Sequence, residues 1–349
     1  MMKKIHILNL FVLFVVMIFS GWDCKTKINA LGEDDVIYVF ADSSDRIEYE
    51  EPLNSIFGQF IQTPIMEREF LLRWKPFENF EEYKNYKNIF IMGRLNSKDP
   101  VSQNVRGLLK EEVIEGVEDG RFFYIPKEDV WASNQYVMIM VANTVDDMIQ
   151  KIYDLGDLAY DNFTQYYYKR LREQMFRHME QKELQSYIER HFPFTMRIQH
   201  DYFIANENIE ENFVWIRRVQ PDRSILVHWL PLSEGFRLNS RWIIDERNRL
   251  AEKIYSGDVI VEEETRAFVT QFKRWNAIRL EGTWRNDSLV IGGPFRNITF
   301  VDSATNRIYM VDYYVQAVGE RKIPFLHQLK VIIYSFDTLQ NPRKEEQPA

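Results

Sequence analysis

The stretch from Thr144 to Phe192 holds one helical hydrophobic period almost throughout, and it narrows the folds open to this chain more than any other segment. Ile152, Leu155, Ala159, Phe163, Tyr166 and Leu171 fall on one stripe, the spacing of a helix that buries one side. Thr144-Val145-Asp146-Asp147 resembles a capping box with Asp in the place of Glu or Gln. Acids (Asp146, Asp147, Asp154, Asp157) come early and bases (Lys169, Arg170, Arg172, Arg177) late, which complements the helix dipole. At about 1.5 Å per residue an unbroken helix would reach roughly 70 Å, longer than a small domain. A break is therefore expected near Gly156 or near Gln181. The stripe is read as core.

Before this helix, strand and helix patterns alternate. Val36–Phe40 and Ile89–Met92 read as buried strands, and Arg121–Ile125 and Tyr136–Val141 as further strands. Pro52 takes a first helical position, with Leu53, Ile56, Phe57 and Phe60 on one face behind it. Asp99-Pro100 opens a second helix carrying Val101, Val105, Leu108 and Leu109. After the helix, strands are expected at 197–205, 213–218, 224–230, 259–262, 277–284, 289–291, 298–301 and 307–317. Tyr309, Val311, Tyr313, Val315 and Ala317 form one apolar face of the last. Asn239 or Ser240 caps a helix that stops at Gly257, and Pro324 opens a closing helix with Phe325, Leu326, Leu329, Ile332, Ile333 and Phe336. The expected fold class is α+β, two mixed α/β lobes with antiparallel-rich sheets joined by a long helix. The lobes would span 35–143 and 193–340, the helix 144–192, and a flexible polar tail 341–349.

The N-terminus reads as an address. Lys3 and Lys4 precede an apolar run, Leu10–Phe19, that is too short to span a bilayer and right for the core of an export signal. Gly21-Trp22-Asp23-Cys24 follows, holding the only cysteine of the chain. A lone Cys at that place resembles the lipobox of bacterial lipoproteins, where the thiol is diacylated and becomes the new N-terminus. Residues 1–23 are thus expected to be a signal peptide, Cys24 the lipid attachment and 24–34 a tether. The departure from the pattern is Asp23, where a small residue is usual. The expected location is the bacterial cell envelope, lipid-anchored in the outer membrane and facing the periplasm.

The remaining chemistry is sparse. One cysteine leaves no disulfide framework and no multi-thiolate metal site, and the histidines have no ligand spacing on a helix turn. A net charge of −8 argues against a nucleic-acid binder, whose affinity comes from cations on phosphates. The chain carries no G-x-S-x-G, H-E-x-x-H, P-loop or G-x-G-x-x-G signature, so no catalytic residue, metal site or cofactor is expected. His228, beside Trp229 in an apolar strand, reads as a satisfied core histidine. Weak ligand-binding candidates gather in one region: Arg279, Glu281 and Trp284, then Gly292, Gly293 and Arg296, then Asp302. Gly292-Gly293-Pro294 reads as the tight turn of a hairpin, a backbone path that glycine permits and proline fixes.

Cys24, Glu51-Pro52-Leu53, Phe213-Val214-Trp215-Ile216-Arg217, Glu264-Thr265-Arg266, Gly282-Thr283-Trp284, Gly292-Gly293-Pro294-Phe295 and the closing helix Phe325–Phe336 stand in an order and spacing that resembles a family of envelope lipoproteins. That family is known only as domain of unknown function 4837. The resemblance spans nearly the whole chain and implies an outer-envelope lipoprotein, without an activity or site residues. Two functions are carried forward. The first is a non-enzymatic binding or assembly module tethered to the membrane, meeting an envelope protein or glycan. The alternative is an enzyme acting on envelope polymers through carboxylates near Glu281 and Asp302, which would have to converge within about 5–10 Å.

Overall fold

A computed structural model describes residues 27–340. The apolar run Leu10–Phe19, Cys24 and the 341–349 tail lie outside the described residues.

In chain order the first half runs β1 (Val36–Ala41), α1 (Arg46–Phe57), a small hairpin of β2 (Phe60–Ile61) and β3 (Glu67–Arg68), β4 (Leu71–Trp74), α2 (Phe80–Tyr83), β5 (Asn88–Arg94), α3 (Pro100–Leu108), α4 (Glu111–Glu118), β6 (Tyr124–Glu128) and β7 (Tyr136–Ala142). Its sheet has the order β4-β1-β5-β7-β6 and is parallel except for the edge strand β6. Strands buried on both faces need no polar alternation, and β5 and β7 are near-continuous apolar runs for that reason.

The second half follows α5 (Val145–Phe176) with α6 (Lys182–His191), β8 (Phe194–Thr195), β9 (Phe203–Asn208), β10 (Phe213–Arg218), β11 (Asp222–Pro231), α7 (Ser240–Ile254), β12 (Val259–Ile260), β13 (Arg266–Phe272), β14 (Trp275–Asn286), β15 (Ile291–Asp302), β16 (Arg307–Gln316), α8 (Ile323–Ile333) and β17 (Asp337–Thr338). Its eight-stranded sheet is antiparallel throughout, in the order β12-β14-β15-β16-β11-β10-β9, with β13 also on β14. The molecule is a mixed α+β fold whose antiparallel pairing is concentrated in this second sheet.

One apolar core runs from the first sheet through α1 and α5 to α8 and one face of the second sheet. Phe70 stands in the middle, with its ring 5.0 Å from Phe163, 5.1 Å from Tyr167 and 5.5 Å from His327 of α8. Smaller cores lie under α3 and α4 and under α7. The expected face of β16 (Tyr309, Val311, Tyr313, Val315) joins the large core, while Met310 and Tyr314 face α7.

Several sequence expectations are corrected. The helical stretch breaks at 177–181 and not at Gly156, which is buried mid-helix because a Cβ there would meet Ile56 Cγ1 at 2.8 Å. Glycine lets α1 and α5 approach. Pro52 sits inside α1 rather than at its start, and the carbonyl its missing N–H frees belongs to the exposed Glu48. Phe60 lies beyond the end of α1, in β2, and is exposed. Helix α4 and strands β4 and β13 were not expected. Gly292-Gly293-Pro294 is not a turn: it lies within β15, opposite Arg285, Trp284 and Thr283 of β14, and the hairpin turn is at residues 287–290. Neither glycine has a positive φ. Gly293 is needed because a Cβ there would lie 1.9 Å from the Val315 carbonyl oxygen.

Candidate functional site

In an open parallel sheet the usual ligand crevice lies where neighbouring strands send their connections to opposite sides. Here that place is between the C-terminal ends of β1 and β5, and the protein fills it with its own side chains. Asp42 accepts the Val101 N–H at 2.9 Å and the Ser102 hydroxyl, capping α3 from across the crevice in place of Asp99. The Arg94 guanidinium donates twice to Asp45, at 2.5 and 3.0 Å.

The open polar space is elsewhere, under α8. A cavity of about 80 Å³ is lined by Glu69 from the segment before β4, by Arg279, Glu281 and Arg296 from the second sheet, and by His327 and Lys330 from α8. Strand register builds its floor. Glu281 of β14 pairs with Arg296 of β15, which pairs with Tyr313 of β16, so all three share a face. Arg279, two residues before Glu281, shares it too. Helix periodicity builds the roof, because Ile323, Leu326, His327 and Lys330 recur on one stripe of α8, with Tyr334 just past its end.

Both carboxylates inside have close partners. Glu281 Oε1 lies 3.0 Å from Arg279 Nε and 3.4 Å from Arg296 Nε. His327 Nε2 lies 3.6 Å from Glu69 Oε1, its Nδ1 lies 2.8 Å from the Tyr167 hydroxyl, and the Tyr160 hydroxyl donates to Glu69 Oε2 at 2.8 Å. Burial alone would raise the Glu69 carboxyl. The hydrogen bonds from His327 and Tyr160 and the charge of Lys330 outweigh it and hold Glu69 below the ordinary carboxylate range. Burial pushes the Lys330 amine down, against the attraction of Glu69. Its Nζ lies over the Tyr168 ring at 4.4 Å and the Tyr334 ring at 5.8 Å.

Of the residues singled out from sequence, Arg279, Glu281 and Arg296 converge on this cavity. Trp284 does not: it lies on the opposite sheet face, packed on Tyr314 at 4.8 Å in the core under α7. Gly292 and Gly293 are backbone positions further along the ladder. Asp302 is at the far end of β15, accepting from the Ala304 N–H and the Thr305 hydroxyl. Six residues separate it from Arg296, the partner of Glu281, which is about 20 Å along a strand. Glu281 and Asp302 therefore cannot form a catalytic pair. Glu69, His327 and Lys330 were missed. The signal for two of them was present, since His327 and Lys330 stand at i and i+3 in a mostly apolar closing helix. Glu69 stands in no periodic pattern. Among the described residues no group of three or more His, Cys, Asp or Glu is placed to hold a metal ion.

Residues 180–335 match the model of the family described as a domain of unknown function, DUF4837. Residues 30–176 match a second such model, DUF8532, so Glu51-Pro52-Leu53 lies outside the first match and the resemblance is narrower than the whole chain. No curated protein matches the chain. Similar solved structures include LpqN of Mycobacterium tuberculosis, described as involved in cell envelope biogenesis, at 11% identity over 41% of this chain and 81% of that one, with a TM-score of 0.26. The Ran-binding protein Mog1p of Saccharomyces cerevisiae is 10% identical over 43% of this chain and 91% of its own, with a TM-score of 0.29. A Bacteroides thetaiotaomicron protein is 12% identical over 44% and 47%, with a TM-score of 0.24. Scores this low say nothing about function.

Proposed function

We propose that this chain, which matches DUF4837 over residues 180–335, is a membrane-tethered envelope lipoprotein that acts as a non-enzymatic binding module with its ligand site under α8. The observation that carries the reading is the convergence of Arg279, Glu281 and Arg296 with Glu69, His327 and Lys330 on one small cavity, each carboxylate already held by a cation or hydrogen-bond donors. A general acid at neutral pH needs a carboxyl raised toward that pH. Glu69 is shifted the other way. The cavity has room for a few waters or for one group the size of a carboxylate, and the ligand we envisage presents such a group from an envelope glycan or protein.

The tether rests on sequence: Lys3 and Lys4, the run Leu10–Phe19 and the single Cys24. No helix among the described residues is long and apolar enough to cross a membrane. A lipid anchor of several acyl chains on Cys24 would hold the chain to the outer membrane, facing the periplasm. Metabolic labelling with an acyl probe should tag the wild type and not Cys24→Ser; equal labelling would remove the tether. For the site, Glu281→Gln and Arg296→Gln chains that still fold, by circular dichroism, should fail to complement a deletion strain. Full complementation by both would remove the cavity from the function.

A further inference from the structure

A second space opens beside the cavity, on the outer side of Lys330. It measures about 770 Å³, within the range of small-molecule sites, and lies between α5 and α8. Five of its lining side chains are cations: Lys169, Arg172, Arg197, Lys273 and Lys330. None is a carboxylate, although the whole chain has a net charge of −8. Three of the five have acidic partners outside the lining. Arg197 donates to both Glu180 oxygens at 2.6 and 3.0 Å, Lys273 lies 3.4 Å from Asp337, and Lys169 lies 3.8 Å from Glu128. Arg172 and Lys330 have no carboxylate within ion-pair distance among the described residues. The groove therefore carries two surplus positive charges. One is a guanidinium, whose planar fork matches phosphate oxygens two at a time, and the other an ammonium point charge. Tyr168 and Tyr334 wall the half-buried Lys330 and supply flat apolar surface beside the charge.

We infer that this groove is a binding site for a phosphate-bearing ligand, with Arg172 and Lys330 as its principal contacts. Glu69 and Glu281 attract Lys330 from the cavity side without forming an ion pair with it, and a bound phosphate would supply one on the groove side. Arg197 and Lys273, fixed by their own acids, flank the site and add long-range attraction without being consumed. The site stands whether or not the inner cavity takes a ligand. The phosphate has two sources with the same chemistry, a lipid headgroup or a soluble phosphoester.

The test uses the full chain in detergent and calorimetric titration with glycerol 3-phosphate, pyrophosphate and dihexanoyl phosphatidic acid below its micelle concentration. Saturable binding of at least one probe is expected, weakened by added salt. It should weaken at least tenfold in Arg172→Gln and in Lys330→Met, and stay unchanged in Lys98→Gln, an exposed cation elsewhere. Arg172 is exposed, so its variant reports on the site even if Lys330→Met misfolds. Phosphatidic acid tenfold tighter than glycerol phosphate assigns the site to lipid headgroups, and equal affinities assign it to soluble phosphoesters. Absence of binding by all three probes, or binding that Arg172→Gln leaves unchanged, overturns the proposal.

Discussion

Gly293 shows how a residue can be noticed for a good reason and explained by the wrong one. From sequence, Gly-Gly-Pro means a turn, because φ > 0 is the commonest need for glycine. In the structure the need is proximity: the Val315 carbonyl oxygen occupies the place of a Cβ. No periodicity announces such an approach, since it depends on a neighbouring strand. Gly293→Ala should cost about 2 kcal/mol or more, because backbone and not a flexible side chain must move, and a lowered Tm in thermal melts would show it. His228 was legible, because a histidine inside an apolar strand must be satisfied. It is 1% exposed, with Nδ1 2.8 Å from the Asn212 carbonyl and Nε2 3.0 Å from Glu246 Oε1. Glu246 has a measurable consequence. Burial would raise its carboxyl, but hydrogen bonds from Arg249 and His228 outweigh this and bring it from 4.5 to about 2. A carboxyl depressed on folding stabilises the fold above its unfolded pKa and loses that contribution as pH falls toward the folded value. The loss should lie between about pH 4.5 and 2. Glu246→Gln should flatten the acid limb of stability against pH in urea melts, and an unchanged limb would show that other carboxylates govern it.

At the scale of the element, α5 and α8 were both legible in outline. The cap of α5 forms in part as its sequence asks: the Asp147 N–H donates to Thr144 Oγ1 at 3.1 Å, while the Asp147 carboxylate accepts from the Asn143 N–H at 2.9 Å, one residue before the N-cap that a capping box would use. What sequence does not show is how elements hold one another. Glu67, in β3 of the first half, accepts from the Lys322 and Ile323 N–H groups at 2.8 and 3.2 Å, so the N-terminus of α8 is capped by a carboxylate from some 250 residues away. Such a cap serves both the free N–H groups and the helix dipole. Glu67→Ala should cost about 1–2 kcal/mol, the scale of a lost N-cap, and Glu67→Gln less, which denaturant melts of the two variants can separate. Gly156 tests the α1–α5 contact in the same way. Alanine there gains helix propensity of about 1 kcal/mol but strikes Ile56. Gly156→Ala should destabilise the wild-type chain and stabilise the Ile56→Ala chain. If the alanine has the same effect in both, the contact is not what keeps the glycine.

For the whole molecule, the α+β class followed from alternating 2-residue and 3.6-residue periods. The expected antiparallel-rich pairing is found in the second sheet, but the parallel pairing of the first was not foreseen, since short apolar strands look alike in parallel and antiparallel sheets. Nor was the joint between the sheets, because Phe70, Glu67 and Glu69 lie in an irregular stretch that carries no period. That stretch is where the two halves meet. Phe70 packs on α5 and α8 together, Glu67 caps α8, Glu69 reaches His327, and Arg321 pairs with Asp35. The two family matches divide at 176–180, so each half has a sequence signature of its own. The apolar core crosses that division without a gap. A core shared in this way makes the stability of each sheet depend on the other. Calorimetry of the full chain should therefore give one transition, with calorimetric and van't Hoff enthalpies equal. Phe70→Ala, which removes a fully buried ring at the centre of the joint, should cost about 3–5 kcal/mol. It should move that single transition rather than split it. Amide exchange should then lose protection in β5 and β16 alike. Two resolved transitions in the wild type, or loss confined to one sheet in Phe70→Ala, would mean that the halves fold independently and merely touch.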